Sequence, residues 1–238
     1  WSRQITRTVP YNVGRDSAPV GSTTTITGRT GLPWEDVISL ANTLHADLWL
    51  NIPIVAAGQT GAASYARQLA TLLRDGITIG GRTYAGLDPD LNVYIEVSNE
   101  VWNSGFDAWH TNFQLAWDEA SPTGSTSNLK YDGSTDKYLW QHRRYGRLVK
   151  QISDEFAAVF GSAAINTRVR PVLCMQQGTS LNTNMAEGTF RYLRDNALLQ
   201  SHRCVGRMLV RDLGKLPIFA AKDHLPVGTT LMTGFQHH

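Results

Sequence analysis

The stretch VYIEVSNEVWN, residues 93–103, constrains the fold of this chain more than any other. Val93, Ile95 and Val97 are strong strand formers, and the Asp-Pro-Asp sequence at residues 88–90 signals a turn in front of them. Polar side chains follow at once, beginning with Ser98. A strand that is apolar along its length and polar just beyond its end is typical of a buried parallel sheet, because α/β folds gather their functional groups at the carboxyl ends of the strands.

The rest of the chain alternates between strand and helix patterns, which favours a parallel α/β fold. We predict strands at residues 47–52, 92–97 and 168–175 and helices at 62–74, 106–119, 137–160 and 184–196, with a further helix opening near Pro33. Residues 120–134 are rich in Ser, Thr and Gly and are predicted to form a loop. Three strands are fewer than half of those in an eight-stranded barrel.

Composition excludes several functional classes. The 238 residues carry a formal net charge of +2, and no basic run interleaves with aromatic residues, so we expect neither nucleic-acid nor membrane binding. No apolar run reaches the roughly 18–20 residues of a membrane span. The seven His residues and two Cys residues show no metal-binding spacing, and no phosphate or dinucleotide loop is present. We therefore predict no metal and no cofactor, and the charged content of 18% favours a secreted protein.

The Asn99-Glu100 pair after a strand resembles the acid/base signature of a clan of retaining (β/α)8-barrel glycoside hydrolases, which includes cellulases, mannanases and arabinofuranosidases. The upstream sequence ADLWLNIP, residues 46–53, resembles the preceding barrel strand of that clan, and residues 65–76 resemble the helix that connects the two strands. The resemblance extends over about residues 31–196 and fades after that. An Asn-Glu pair alone is a weak motif, but the ordered set of strand, helix, strand and polar strand end is far more specific.

The resemblance implies a TIM-type (β/α)8 barrel, formed as one catalytic domain over residues 1–238, that cleaves a poly- or oligosaccharide with retention and without a cofactor. Glu100 would be the general acid/base, and Asn99 would bind the hydroxyl next to the reacting carbon. Trp49 and Trp102 are candidates to stack on sugar rings. Asn51 and Gln176 are candidates to hydrogen-bond the sugar hydroxyls.

Glu96 has the same strand parity as Glu100 and points to the same side of the sheet. Along an extended strand the two residues would lie roughly 13 Å apart, at about 3.3 Å per residue. We therefore predict that Glu96 is not the partner nucleophile and that it pairs with an arginine or a histidine. Trp109, Trp117 and Trp140 lie on predicted helices and are predicted to be core residues.

The carboxyl-terminal part, residues 201–238, is atypical for a barrel. Arg203, Arg207 and Arg211 alternate with apolar residues where a buried strand should be apolar, and no carboxylate matches the nucleophile of the clan. This leaves open a barrel that is incomplete or rearranged at its ends. The alternatives are a non-catalytic glycan-binding fragment that lacks the nucleophile, and a fragment that self-associates through unpaired strand edges.

Overall fold

A computed structural model describes residues 33–175, 185 and 188–196 of the chain, and every structural statement below concerns these residues. They form five α-helices, which are α1 (Trp34–Leu44), α2 (Tyr65–Asp75), α3 (Asp107–Ala120), α4 (Lys137–Phe160) and α5 (Gly188–Asp195). Single turns of 3-10 helix lie at Asn128–Lys130 and Ser162–Ala164. The predicted bounds of α4 are confirmed, and the other predicted helices agree with the observed ones to within a few residues.

Side chains at the helix ends explain where two of these helices begin. The Asp136 carboxylate accepts hydrogen bonds from the backbone N–H groups of Tyr138 and Leu139, which caps α4. The Ser64 hydroxyl accepts from the N–H of Arg67 and caps α2. The sequence prediction began this second helix at residue 62 because two alanines precede the capping serine.

Three strands form a parallel sheet in the order β1-β4-β5, where β1 is Leu48–Ile52, β4 is Val93–Val97 and β5 is Val169–Val172. The central strand therefore carries the Asn-Glu motif at its carboxyl end. In the register of β1 and β4, Trp49 lies opposite Tyr94, and Asn51 lies opposite Glu96. All three predicted strands are confirmed, although β5 ends at Val172, earlier than predicted.

A separate antiparallel hairpin joins β2 (Ile77–Ile79) and β3 (Arg82–Tyr84), and the sequence analysis missed it. Its two turn residues, Gly80 and Gly81, both have positive φ angles, as the tightest hairpin turn requires. Gly76, in front of the hairpin, also has a positive φ of 68°. A Cβ atom there would lie 2.2 Å from the carbonyl oxygen of Tyr84, so only glycine fits between α2 and the hairpin.

The prediction of a (β/α)8 barrel is wrong. Over residues 33–175, 185 and 188–196, the structure has one three-stranded parallel sheet and one two-stranded antiparallel sheet, and β1 and β5 each pair with a single strand. Alternating strands and helices fix the parallel arrangement, but the same alternation occurs in open sheets and in closed barrels. Closure depends on long-range pairing of the edge strands, which the local pattern does not encode. That residues 1–238 form one domain stays a prediction.

The two faces of the parallel sheet differ in chemistry. One face presents the fully buried side chains of Leu50, Ile95 and Val169, which belong to the main hydrophobic core together with the apolar residues of α2 and α4. Successive side chains along a strand point to opposite faces, so the other face carries Trp49, Tyr94, Glu96 and Arg170. The helices thus stabilise the sheet from one side, and the polar and aromatic residues lie on the other.

Three tryptophans were predicted to be core residues. Trp109 is only partly buried, and its ring stacks on Phe113. Trp140 is buried, with a relative exposure of 4%, as predicted. The core prediction for Trp117 is wrong, because its relative exposure is 41%; its ring packs at 6.0 Å, between centroids, on the outer side of Trp140. Among the described residues, no helix is long and apolar enough to cross a lipid bilayer.

Candidate functional site at the carboxyl ends of the strands

Polar side chains from β1, β4 and the segment after β5 meet at one edge of the parallel sheet, because parallel strands end at the same edge. We call this group the strand-end cluster; its members are Trp49, Asn51, Glu96, Ser98, Glu100 and Cys174. Residues from three separate parts of the sequence are thereby brought together. The cluster contains two carboxyl groups, those of Glu96 and Glu100, and a partly exposed indole.

The backbone turns sharply after β4 and so determines where Glu100 points. Ser98 and Glu100 have φ angles of 53° and 47°, which residues other than glycine rarely adopt. Two hydrogen bonds from β1 hold this turn: Ser98 N–H donates to the Ile52 carbonyl at 2.7 Å, and the Asn51 amide donates to the Ser98 carbonyl at 2.8 Å. Backbone strain of this kind persists only where the surrounding structure enforces it, and it clusters at functional sites.

The Glu100 side chain is only partly buried, so it can reach a ligand. Its Oε2 accepts a hydrogen bond from the Asn103 side-chain amide at 2.8 Å, and the Asn103 N–H donates to the Glu100 carbonyl, also at 2.8 Å. Asn103 therefore orients both the backbone and the carboxylate of Glu100. The sequence analysis did not assign a role to Asn103, although its position three residues after Glu100 is the spacing of a tight turn.

Glu96 is buried, with a relative exposure of 5%. Its Oε2 accepts a hydrogen bond from the Trp49 indole Nε1–H at 3.0 Å, and the Cys174 thiol is a second hydrogen-bonding partner. Burial raises the pKa of Glu96 to about 7, and the charge of Glu100 adds to the increase, whereas the hydrogen bonds from Trp49 and Cys174 act in the opposite direction. The predicted pairing of Glu96 with arginine or histidine is wrong: the observed partners are an indole and a thiol.

The predicted separation of Glu96 and Glu100 assumed an extended strand, which the structure does not have between them. The strand ends at Val97, and the positive φ angles of Ser98 and Glu100 show that the backbone between the two glutamates is not extended. The two carboxyl groups are consequently close enough for the charge of Glu100 to affect the pKa of Glu96. The separation of the two carboxyl groups depends on backbone angles that the residue pattern did not reveal.

Cys174 and Tyr145 complete the buried side of the cluster. The Cys174 backbone N–H donates to the Tyr145 hydroxyl at 3.0 Å, and Tyr145 lies on α4. Burial is the largest cause that raises the pKa of the Cys174 thiol above its usual range, and the charge of Glu96 adds to the increase. This thiol is therefore a poor nucleophile at neutral pH. Cys174 forms no disulfide with a described residue, and Cys204, the second cysteine of the sequence, lies outside the described residues.

The structure locates five of the six site residues predicted from the sequence. Trp49 is half-exposed, with a relative exposure of 42%, and its ring stacks on Tyr94 with 5.5 Å between centroids and 12° between planes. Asn99 and Trp102 are partly buried beside Glu100 in sequence. Asn51 uses its amide to hold the backbone of Ser98. Gln176 lies outside the described residues.

A second group of ionisable residues lies at the opposite, amino-terminal ends of the strands. Ligand atoms of His45, Asp88 and Asp90 all lie within 4.8 Å of one another, in a geometry that is open to a metal ion. His45 Nε2 and Asp90 Oδ2 form an exposed pair at 3.2 Å, and Arg168 donates to the Asp88 carbonyl at 3.1 Å. Exposed acidic groups of this kind are common on protein surfaces, and we assign no metal to this group.

Comparisons with known proteins add no further constraint on the site. The chain matches no protein-family model, no curated protein and no solved structure. The chemistry of the strand-end cluster therefore rests on its own geometry and on the resemblance of its sequence motif.

Proposed function

We propose that this protein is a glycoside hydrolase that cleaves a poly- or oligosaccharide, with Glu100 as the general acid/base. The observation that carries the proposal is the position of Glu100: it is a partly exposed carboxylate at the end of the central strand, held by a strained turn and oriented by Asn103. The half-exposed Trp49 at the same edge offers an aromatic face for a sugar ring. Carboxylate and aromatic surface together are what binding and protonating a glycoside require.

In the retaining reaction Glu100 donates a proton to the glycosidic oxygen while a second carboxylate bonds to the anomeric carbon and the bond to the leaving sugar breaks. Water then displaces that carboxylate from the anomeric carbon and gives up a proton to Glu100. Asn99 hydrogen-bonds the hydroxyl next to the reacting carbon. Retention, which the sequence resemblance implies, needs a second carboxylate roughly 5–5.5 Å from the first. No nucleophile is assigned among the described residues, since Glu96 is buried and its carboxylate is occupied by Trp49 and Cys174.

Replacing Glu100 by glutamine tests the proposal. The Glu100→Gln substitution keeps the shape of the side chain but removes the proton that the leaving group needs. We expect hydrolysis of cellopentaose, mannopentaose or arabinopentaose to fall by about a hundredfold or more. Hydrolysis of 4-nitrophenyl glycosides should fall far less, because nitrophenolate leaves without protonation. The matched control is Asp118→Asn, which removes an exposed carboxylate from α3 and should leave both rates unchanged.

Equal losses on the two substrate types would contradict the acid/base role of Glu100. So would a wild-type protein that is folded and cleaves none of the three pentasaccharides. Circular dichroism of both variants separates loss of chemistry from loss of folding.

The second candidate function is glycan binding without cleavage. One observation favours it: the carboxyl group closest to Glu100 in the described cluster is buried and hydrogen-bonded to protein groups rather than open to a ligand. In that case the wild-type protein binds a pentasaccharide, measured by calorimetry, and releases no reducing ends. Equal affinities of the wild-type and Glu100→Gln proteins, with no cleavage by either, would identify a binding module.

Two further proposals follow from the same function. The first is secretion: a polysaccharide substrate would be met outside the cell, and the charged content of 18% agrees with secretion.

The second is self-association, because β1 and β5 each pair with one strand in the described part of the chain and so offer open edges. Sedimentation of the full chain over a range of concentrations measures its oligomeric state.

A further inference from the structure

Trp49 has an unusual environment for a half-exposed tryptophan. Its relative exposure is 42%, yet its indole Nε1–H donates at 3.0 Å to a carboxylate that is only 5% exposed. One face of the ring is stacked on Tyr94, at 5.5 Å between centroids. An exposed side chain ordinarily exchanges between rotamers within nanoseconds. Here two contacts of different kinds restrict the ring to one orientation.

The register of the sheet shows the direction in which Trp49 leans. Trp49 lies directly opposite Tyr94, while Glu96 lies two residues further along β4 on the same face. The hydrogen bond to Glu96 therefore runs diagonally between the strands, toward their carboxyl ends. Glu100 lies at those ends, so the bond draws the indole toward the acid/base residue.

We propose that Glu96 is a positioning residue of this site: through its hydrogen bond to Nε1 it holds the Trp49 indole against Tyr94, as the surface on which a sugar ring stacks beside Glu100. This inference rests on the proposed function, because it names the aromatic surface that binds the carbohydrate. Glu96 acts through Trp49 and does not itself contact the sugar.

The groups around Glu96 make its hydrogen bond to Trp49 depend on pH, so this role can be measured. The groups that face it are Trp49 from β1, Cys174 after β5, Tyr145 from α4 and Glu100 beyond its own strand. Burial and the negative charge of Glu100 raise the pKa of Glu96 to about 7. An ionised carboxylate accepts a stronger hydrogen bond than a protonated one. The hold on Trp49 should therefore tighten as the pH rises through about 7.

Nuclear magnetic resonance of the full chain tests the link without any sugar. We expect the indole Nε1–H resonance of Trp49, assigned from its loss in Trp49→Phe, to shift with pH with a midpoint near 7. Glu96→Gln should abolish that shift, because the amide does not titrate. Glu100→Gln should move the midpoint to lower pH, because it removes the neighbouring negative charge. Trp117 is the matched control, because its exposure of 41% is close to the 42% of Trp49 and no carboxylate partner to its indole is observed among the described residues.

Sugar binding tests the consequence. In the Glu100→Gln background, which prevents cleavage and lowers the Glu96 midpoint, we measure binding of cellopentaose, mannopentaose and arabinopentaose by calorimetry at pH 5 and pH 8. We expect Glu96→Leu and Trp49→Phe each to weaken binding by about threefold to tenfold, and Trp117→Phe to leave it unchanged. Adding Glu96→Gln should remove the difference in affinity between the two pH values.

The outcomes separate this inference from the proposed function. A Trp49 resonance that does not titrate, or that titrates equally in Glu96→Gln, overturns the positioning role. Equal weakening of binding by Trp49→Phe and Trp117→Phe overturns it as well. If no pentasaccharide binds while the Glu96-dependent titration is present, the proposed function fails and the link between Glu96 and Trp49 is supported.

Discussion

Glu155 and Glu96 are buried to nearly the same extent, with relative exposures of 4% and 5%, but among the described residues only Glu155 has a cation beside it. Glu155, on α4, accepts hydrogen bonds from the Arg67 guanidinium at 2.7 Å, the Ser64 hydroxyl at 2.7 Å and the Gly61 backbone at 3.1 Å. Glu96 has an indole and a thiol as partners and a second carboxylate nearby. One carboxylate is compensated by a cation, and the other is not.

This difference shows how to distinguish a carboxylate that stabilises the fold from one whose proton affinity is shifted, as is common at functional sites. A buried charge costs several kcal/mol unless a cation and hydrogen bonds compensate it, so Glu155 ties the loop before α2 to α4. A buried carboxyl without a cation instead changes its affinity for protons, which is common at functional sites. The same substitution, glutamate to glutamine, should therefore have opposite effects on stability at the two positions.

The largest effect is expected at Glu155. Glu155→Gln removes the negative charge that faces Arg67 and replaces one acceptor oxygen by a donor amide. We expect the free energy of unfolding to fall by about 3 kcal/mol, measured by urea denaturation at pH 7. Glu155→Asp, which retains the charge, serves as the control and should lose less. A Glu155→Gln protein as stable as the wild type would remove the basis of the comparison.

The opposite sign is expected at Glu96. Between about pH 4.5 and 7, the unfolded chain releases the Glu96 proton while the folded protein retains it. The unfolded state then binds fewer protons than the folded state, so stability falls as the pH rises across this range. Glu96→Gln avoids this loss, and at pH 8 the variant should be more stable than the wild type by up to about 3 kcal/mol. At pH 4 the two proteins should be nearly equal in stability.

Urea denaturation of both proteins at pH 4 and pH 8 measures this difference, and groups that titrate equally in both proteins cancel. A Glu96→Gln protein that is less stable than the wild type at pH 8 would show that Glu96 is compensated as Glu155 is. In that event the proposed positioning role would lose its electrostatic support.

The smallest effect is expected at Tyr145, which faces Glu96 from α4. Tyr145→Phe removes the hydroxyl that accepts the Cys174 N–H, and a partly buried backbone donor then loses its partner. We expect a loss of about 1 kcal/mol in the free energy of unfolding, measured by thermal or urea denaturation. Tyr131→Phe is the matched control, because the Tyr131 hydroxyl bonds to Asp195 at the surface and its loss should be close to neutral.

The sequence by itself determined the local elements and the position of the candidate site. Helix α4 from Lys137 to Phe160 and the strand Val93–Val97 follow from periodicity, capping and β-branched residues, all of which are local properties. Polar residues directly after an apolar strand were enough to place Glu100 at a strand end. The Gly80-Gly81 hairpin was also readable from local pattern and was overlooked.

Only the tertiary structure decided how these elements combine. In the described part of the chain, the three-stranded parallel sheet contradicts the barrel that the motif suggested. Edge pairing depends on contacts between residues far apart in sequence, which the motif does not encode. The strained turn at Ser98 and Glu100 brings a supposedly distant Glu96 into electrostatic reach of Glu100. The partners of Glu96, Trp49 and Cys174, come from positions 47 residues before it and 78 residues after it in the sequence. Its proton affinity therefore depends on a burial that no local sequence pattern specifies.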